Sequence, residues 1–404
     1  MIWILRKLFY RLVQYCVRLI IRILNFKDPI LISGNGSISR LPEAVSKMGV
    51  RKVLIVSGRV VTGLGMLDGL LDGLKKNNIE YVVFNNVRPN PTIDNVEEAL
   101  TIYEDSKCQG IIAFGGGSPM DCAKIIAARS TNKKKQVGDM RGVLKVKKNL
   151  PPVFAVPTTA GTGSETTVAA VITDTHTHEK FGISDPKLMP AVAVLDPELT
   201  VGLPPHITAA TGMDALTHAI EAYVGLHGTG FTDKKAEQAV KMIFENLEKA
   251  YDNPAGLEAR SNMLLASYFA GQAFTRAYVG YVHAIAHGLG GIYDIPHGLA
   301  NAIVLPYVLE YYGKSIGKKL ARLAVIAGIG SESEPDKELS QRLIYNIRRI
   351  NENMNIPKGI KELKKDDIEL IAARALKESN PQYPVPRIMN YQECCGLLLK
   401  LIIE

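Results

Sequence analysis

The chain has 404 residues, 47% of them hydrophobic, which is enough to bury a large core and sets an expectation of two domains. Its five cysteines (Cys16, Cys108, Cys122, Cys394 and Cys395) include no CxxC pair, which argues against a disulfide framework or a thiolate zinc site and suits a reducing, cytoplasmic compartment. The formal charge of +8 gathers at one end: residues 1–27 carry Arg6, Lys7, Arg11, Arg18, Arg22 and Lys27 with no acid, and the remainder sets 42 basic against 40 acidic residues, so nucleic-acid binding is not expected.

The first segment, MIWILRKLFYRLVQYCVRLIIRILNF, places Lys7, Arg11, Gln14, Arg18, Arg22 and Asn25 at intervals of three or four residues. This makes one polar, mostly basic stripe on a helix whose other positions are apolar. A spanning helix needs about 20 nearly uncharged residues, and a signal peptide keeps its charges ahead of the apolar run. Neither pattern fits. The expectation is an amphipathic helix in a membrane interface, basic side chains toward anionic head groups, which holds the protein on the inner face of the membrane. The competing expectation is a helix that packs on another subunit.

From Lys27 onward strands and helices alternate. RKVLIVSG, EYVVFNNV, QGIIAFGGGS, PVFAVPTT and AVAVLDP read as strands, with helical stretches GMLDGLLDGLKKNN and 94–107 among them. Such alternation implies a parallel sheet covered by helices on both faces. Strand signals stop near Pro205, and 208–404 reads as successive helices, so three segments are expected: 1–27, 28–205 and 206–404. The runs Lys133–Lys135 and Lys145–Lys148 read as solvated loop.

Two glycine-bearing turns follow strands. Gly115-Gly116-Gly117-Ser118 ends an apolar strand and opens the helix PMDCAKIIAAR, where close backbone approach and free N–H groups suit a phosphate. Pro157-Thr158-Thr159-Ala160-Gly161-Thr162-Gly163-Ser164-Glu165 has the hydroxyls and small residues of a loop that wraps a ligand. Either turn alone is equally explained by chain geometry. GLGMLDG, at 63–69, has the spacing GxGxxxG and departs from the dinucleotide fingerprint, so its glycines read as packing positions.

In the helical half, Asp214 and His218 are four apart in MDALTHAIEAY, His283 and His287 repeat that spacing in GYVHAIAHGLGG, and His297 follows in IPHG. Pairs at i,i+4 share a helix face and are common on ordinary helices. Two such pairs followed by Pro-His-Gly, with carboxylate oxygen and imidazole nitrogen donors, point to a divalent transition metal. Spacing does not choose between His283 and His287.

DALTHAIEAY, GYVHAIAHGLGGIYDIPHG, GGGSPMDCAK and PTTAGTGSE together resemble the iron-containing alcohol dehydrogenase family, in its order and spacing, from about Pro29 to near the C-terminus. The resemblance implies an N-terminal dinucleotide-binding α/β domain with a parallel sheet and an all-α C-terminal metal-binding domain, the architecture of dehydroquinate synthase, with the active site between them. It implies that Asp214, His218, His283 and His297 bind Fe²⁺, with Zn²⁺ as the alternative, and that His287 faces substrate and nicotinamide as the proton relay. It implies cofactor contacts from Gly115, Gly116, Gly117, Ser118, Asp121, Thr158, Thr159, Thr162, Lys180 and Asn90. The activity implied is hydride transfer between NAD(P) and a small alcohol or aldehyde, in an enzyme expected to be a homo-oligomer. Polyol and glycerol or glycerol-phosphate dehydrogenases of the same architecture come second, because their characteristic segments differ from DALTHAIEAY and IPHG. A non-catalytic scaffold would show damaged ligand positions, and a zinc hydrolase would leave the two turns unexplained.

One departure bears on the cofactor. NAD-preferring members carry an aspartate two residues after the strand RKVLIV, where it accepts hydrogen bonds from the adenosine ribose and repels a 2′-phosphate. Here Gly58 holds that place and Arg59 follows, so NADP is favoured over NAD.

Overall fold

The structure is a computed structural model that describes residues 2–24, 26–175 and 179–403. The chain divides into two compact units, one of Asn25–Gly202 and one of Leu203–Glu404 together with Met1–Leu24.

After α1 (Ile2–Ile23), the first unit carries β1 (Ile30–Ser33), α2 (Leu41–Lys47), β2 (Lys52–Val56), α3 (Arg59–Gly63), α4 (Asp68–Lys76), β3 (Glu80–Phe84) and α5 (Ile93–Asp105). It continues with β4 (Gly110–Gly115), α6 (Gly117–Thr131), β5 (Gly142–Val143), β6 (Val153–Pro157), β7 (Ala169–Thr173), β8 (Lys180–Ser184) and β9 (Val192–Leu195). Six strands form one sheet in the order β1-β9-β6-β4-β2-β3, and every pairing is parallel. The alternation of side chains along β2 and β4 explains why the strands read as continuous apolar runs. Leu54, Val56, Ile111 and Ala113 enter one buried cluster, and Val53, Ile55, Ile112 and Phe114 the other. Both sheet faces are therefore covered, as parallel sheets require.

Chain order matters more than strand count here. From β2 the chain goes outward to β3 and then returns to the other side of β2 as β4. Such a reversal opens a crevice at the carboxyl ends of β2 and β4, the usual ligand position of doubly wound sheets. Gly58 follows β2, and the triple-glycine turn follows β4. A second, three-stranded sheet, in the order β5-β8-β7, has an antiparallel β7–β8 pair. It is absent from the sequence reading because its strands are short and lie among Thr, Gly and Lys residues without sustained apolar alternation. In the runs Lys133–Lys135 and Lys145–Lys148, Lys133, Lys134, Lys145, Lys147 and Lys148 are exposed, while Lys135 is partly covered and Val146 is buried.

The second unit is helical: α7 (Pro205–Val224), α8 (Gly230–Asp252), α9 (Leu257–Ala277), α10 (Tyr281–Tyr293), α11 (His297–Tyr312), α12 (Gly317–Ile326), α13 (Asp336–Asn353), α14 (Ile368–Ser379) and α15 (Tyr391–Leu399). Helix α1 packs on this unit, and with the opposite face to the one its stripe suggests. Arg11 donates to the carbonyls of Val385 (2.7 Å) and Pro386 (2.9 Å), and buried Gln14 donates to Tyr383 O (2.7 Å). Arg18 is half-buried on the same side. Arg11 and Gln14 face backbone carbonyls of the protein, not head groups, because the 383–386 segment presents acceptors that need donors. Asn25 lies outside the described residues. No helix among the described residues is long and apolar enough to cross a membrane.

Candidate metal centre and cofactor loops

In the helical unit, α7 carries Asp214, His218 and Glu221 at i, i+4 and i+7, so all three share one buried face. Helix α10 supplies His283 and His287, and His297 is the first residue of α11. The glycine of Pro-His-Gly has a steric reason: a Cβ on Gly298 would collide with the carbonyl of Ala210 and lie 3.3 Å from Asp214 Cβ. Only glycine lets the start of α11 come this close to α7.

The donors converge. One ligand atom from each of Asp214, His283 and His297 falls within 4.8 Å of the others. His283 Nε2 is 3.8 Å and His297 Nε2 3.6 Å from Asp214 Oδ1, and His218 Nδ1 is 3.9 Å from Asp214 Oδ2. His218 stacks on Phe274 at 4.1 Å between ring centres, which fixes its plane. His283 and Asp214 are buried, while His297 is partly open.

Sequence reasoning missed the residues behind these donors. Glu221 accepts from His283 Nδ1 (2.7 Å), Gly280 N (2.8 Å) and Val282 N (2.7 Å). With Nδ1–H given to Glu221, the lone pair of His283 sits on Nε2, a buried atom with no hydrogen-bond partner, aimed at Asp214. Burial pushes Glu221 up to about 7 against the pull of those three donors. Burial, then the neighbouring His218, His297 and His287, holds His283 well below its ordinary range, so it is neutral and able to ligate. Asn301 donates to Asp214 Oδ1 (2.7 Å) and lies 3.2 Å from His297 Nε2. The i+7 place of Glu221 and the i+4 place of Asn301 after His297 were visible signals; the partner of His287 was not. His287 Nδ1 is 2.7 Å from Glu378 Oε1, which also accepts from Tyr383 OH at 2.7 Å. A mixed carboxylate–imidazole set with a buried, unpartnered ring nitrogen fits a divalent cation.

In the α/β unit the two turns meet. Gly115, at φ +146°, is within 2.8 Å of Pro119 Cγ if given a Cβ, which leaves glycine as the residue for the turn into α6. Thr158 N donates to Gly115 O (3.0 Å), while Thr159 and Thr162 lie against Gly116 and Gly117. The Thr-rich loop thus covers the triple glycine, because β4 and β6 are neighbours in register at Gly115 and Pro157. Ser118 follows in the first turn of α6. Asp121 accepts from Ser164 Oγ (2.8 Å) and Val171 N (2.9 Å). Lys124, fully buried, donates to Ser164 Oγ (2.8 Å), Thr167 Oγ1 (2.8 Å) and Ala169 O (2.9 Å), and burial pulls it down to about 8. Asn90 and Lys180 pair at 3.0 Å. Gly58 adopts φ −104°, ψ 157°, and exposed Arg59 donates to Asn86 Oδ1 at 2.7 Å.

A doubly wound parallel sheet with glycine and threonine turns at the ends of β4 and β6, and a helical unit with a carboxylate–imidazole cluster, combine a dinucleotide-binding type of fold with a candidate metal site. Residues 29–197 match the iron-containing alcohol dehydrogenase family, and 208–402 its C-terminal domain. The chain belongs to this family and is an oxidoreductase of the alcohol–aldehyde class. It is 39% identical over 371 residues to 1,3-propanediol dehydrogenase of Klebsiella pneumoniae, covering 90% of this chain and 95% of that one. It is 36% identical over 375 residues to the NAD-dependent methanol dehydrogenase of Bacillus methanolicus, covering 92% and 98%. Among solved structures, a 1,3-propanediol oxidoreductase matches with a TM-score of 0.91 at 36% identity, covering 94% of this chain and all of that chain, 100%.

Proposed function

We propose that residues 206–404 hold a divalent metal, iron with zinc as the alternative, through Asp214, His218, His283 and His297, and that 28–205 binds the nicotinamide cofactor. The observation that carries this reading is the buried, unpartnered Nε2 of His283 directed at Asp214 beside His297. When bound, the metal supplies Lewis-acid polarisation of the substrate oxygen, and the cofactor supplies the hydride chemistry.

The chain's own residues do the positioning. Glu221 holds the His283 tautomer, Asn301 orients Asp214, and Phe274 fixes the ring of His218. His287 is the group that takes the hydroxyl proton in alcohol oxidation and returns it in aldehyde reduction. It is partly open and its other ring nitrogen is held by Glu378. Gly115, Gly116, Gly117 and Ser118 cradle the pyrophosphate; Asp121, Thr158, Thr159, Thr162, Asn90 and Lys180 line or support the same cofactor. The substrate is a small alcohol or aldehyde. The enzyme is a cytoplasmic homo-oligomer that binds an anionic membrane surface through residues 1–27.

NADP is favoured over NAD. A Cβ on Gly58 would meet only Val87 O, at 3.6 Å, an ordinary contact, so sterics do not exclude an aspartate there. The absence of the carboxylate is a choice of chemistry, and Arg59 stands next to it as a cation for the 2′-phosphate. The NAD dependence of the Bacillus relative is the contrary expectation. The test is kcat/KM for NADPH and NADH in aldehyde reduction, for the parent and Gly58→Asp. The parent should prefer NADPH and the variant should move toward NADH; a parent that strongly prefers NADH refutes the assignment of Gly58.

A further inference from the structure

Helix α1 lies ahead of the matched family segments, which begin at residue 29. Its inner side is pinned. Besides the contacts of Arg11 and Gln14 with 383–386, buried His227 places Nε2 2.9 Å from Gln14 O. The docked side therefore consumes much of the polar stripe, and the apolar residues are left facing outward. Leu5, Leu12 and Leu19 are seven apart and form one line along the helix, flanked by Leu8, Phe9 and Ile23. Leu5, Leu8 and Leu12 are each 61% exposed and Ile23 is 83% exposed. From Leu5 to Ile23 the ridge runs for about 27 Å. Contiguous apolar surface of this extent, on a helix fixed in place, calls for an occupant.

The charges of the helix choose that occupant. Arg6, Lys7 and Arg22 are exposed on the same helix, off the apolar line, and residues 1–27 contain no acid. A second copy seated ridge to ridge would bring two cationic segments together with no carboxylate in either to offset them. An anionic bilayer satisfies both features, apolar side chains below the head groups and cations among them. Resting on the membrane reading above, we infer that α1 is a rigid insertion plate: its Leu5–Leu12–Leu19 ridge enters the bilayer, while Arg11, Gln14 and His227 hold it to the helical unit. The enzyme is then held in one orientation on the membrane, which a flexible basic tether would not impose.

The experiment compares full-length parent, Leu8→Glu/Leu12→Glu/Leu19→Glu and Arg6→Gln/Lys7→Gln/Arg22→Gln. Each is sedimented with phosphatidylcholine vesicles with and without phosphatidylglycerol, and its mass is measured by light scattering. The parent should bind anionic vesicles. The leucine triple variant should lose roughly a hundredfold or more in partitioning at unchanged mass and unchanged turnover on a small aldehyde. The basic triple variant should narrow the difference between the two vesicle types. A parent that binds neither vesicle overturns the membrane reading and this inference together. A leucine variant that binds as the parent does overturns the ridge alone. A leucine variant of lower mass makes the ridge a contact between subunits and overturns the lipid assignment.

Discussion

Glu221→Gln probes the least conspicuous part of the metal centre. In the parent, Glu221 collects three buried donors: Gly280 N at 2.8 Å, Val282 N at 2.7 Å and His283 Nδ1 at 2.7 Å. The glutamine is nearly isosteric but carries one acceptor oxygen and one NH2, so at least one donor then faces another donor. A buried donor left without an acceptor costs about 1–3 kcal/mol, and that is the expected loss of unfolding free energy in metal-free protein. Supporting hydrogen bonds of this kind are worth roughly 10–100-fold in metal affinity. Glu221→Ala orphans all three donors and should lose about 3–9 kcal/mol. Chelator competition with Fe²⁺ or Zn²⁺ gives the affinity, and denaturant unfolding without metal gives the stability. If Glu221→Gln binds metal within threefold of the parent, Glu221 does not hold the His283 tautomer and the construction of the site given above is wrong.

His283→Ala should remove both the bound metal and turnover, whereas His287→Ala should keep the metal and lower turnover; metal analysis of the purified variants decides, and a full equivalent of tight metal in the His283 variant refutes the ligand set. His227 makes a pH prediction. Burial, with the charge of Arg18 adding to it, pulls His227 down to about 4 from 6.5 despite its bond to Gln14 O. The folded state thus holds it neutral, so its contribution is intact above about 6.5 and is lost as pH falls toward about 4, to a limit of about 3 kcal/mol. Denaturant unfolding from neutral pH down to about 5 should show a steeper loss in the parent than in His227→Gln; parallel slopes refute it.

Much of the fold was readable because it rests on local pattern. Five of the six strands of the larger sheet and the change to helices near Pro205 follow from apolar runs and spacing, whereas the short edge strand β1 is absent from that reading. Asp214, His283 and His297 come together, with His218 Nδ1 3.9 Å from Asp214. What the sequence withheld depends on partners far along the chain. Glu378 is 91 residues from His287, and nothing near either marks the pair. Lys124 sits in a motif read for its glycines, yet its ammonium is buried beneath the Thr-rich loop. For α1 the pattern gave the helix and its two faces correctly. Which face docks was decided by acceptors at 383–386, some 370 residues away, as with Arg11 and Val385 at a separation of 374.

Under the proposed function this alcohol–aldehyde oxidoreductase is metal-dependent, and Asp214, His218, His283 and His297 would hold the metal. The most direct measurement is aldehyde-dependent NAD(P)H oxidation by purified protein before chelation, after chelation, and after readdition of Fe²⁺ or Zn²⁺ to the parent and to His283→Ala. Turnover should vanish on stripping, return with metal in the parent, and fail to return in the variant. Full turnover in metal-free parent, or equal reactivation of His283→Ala, would contradict it.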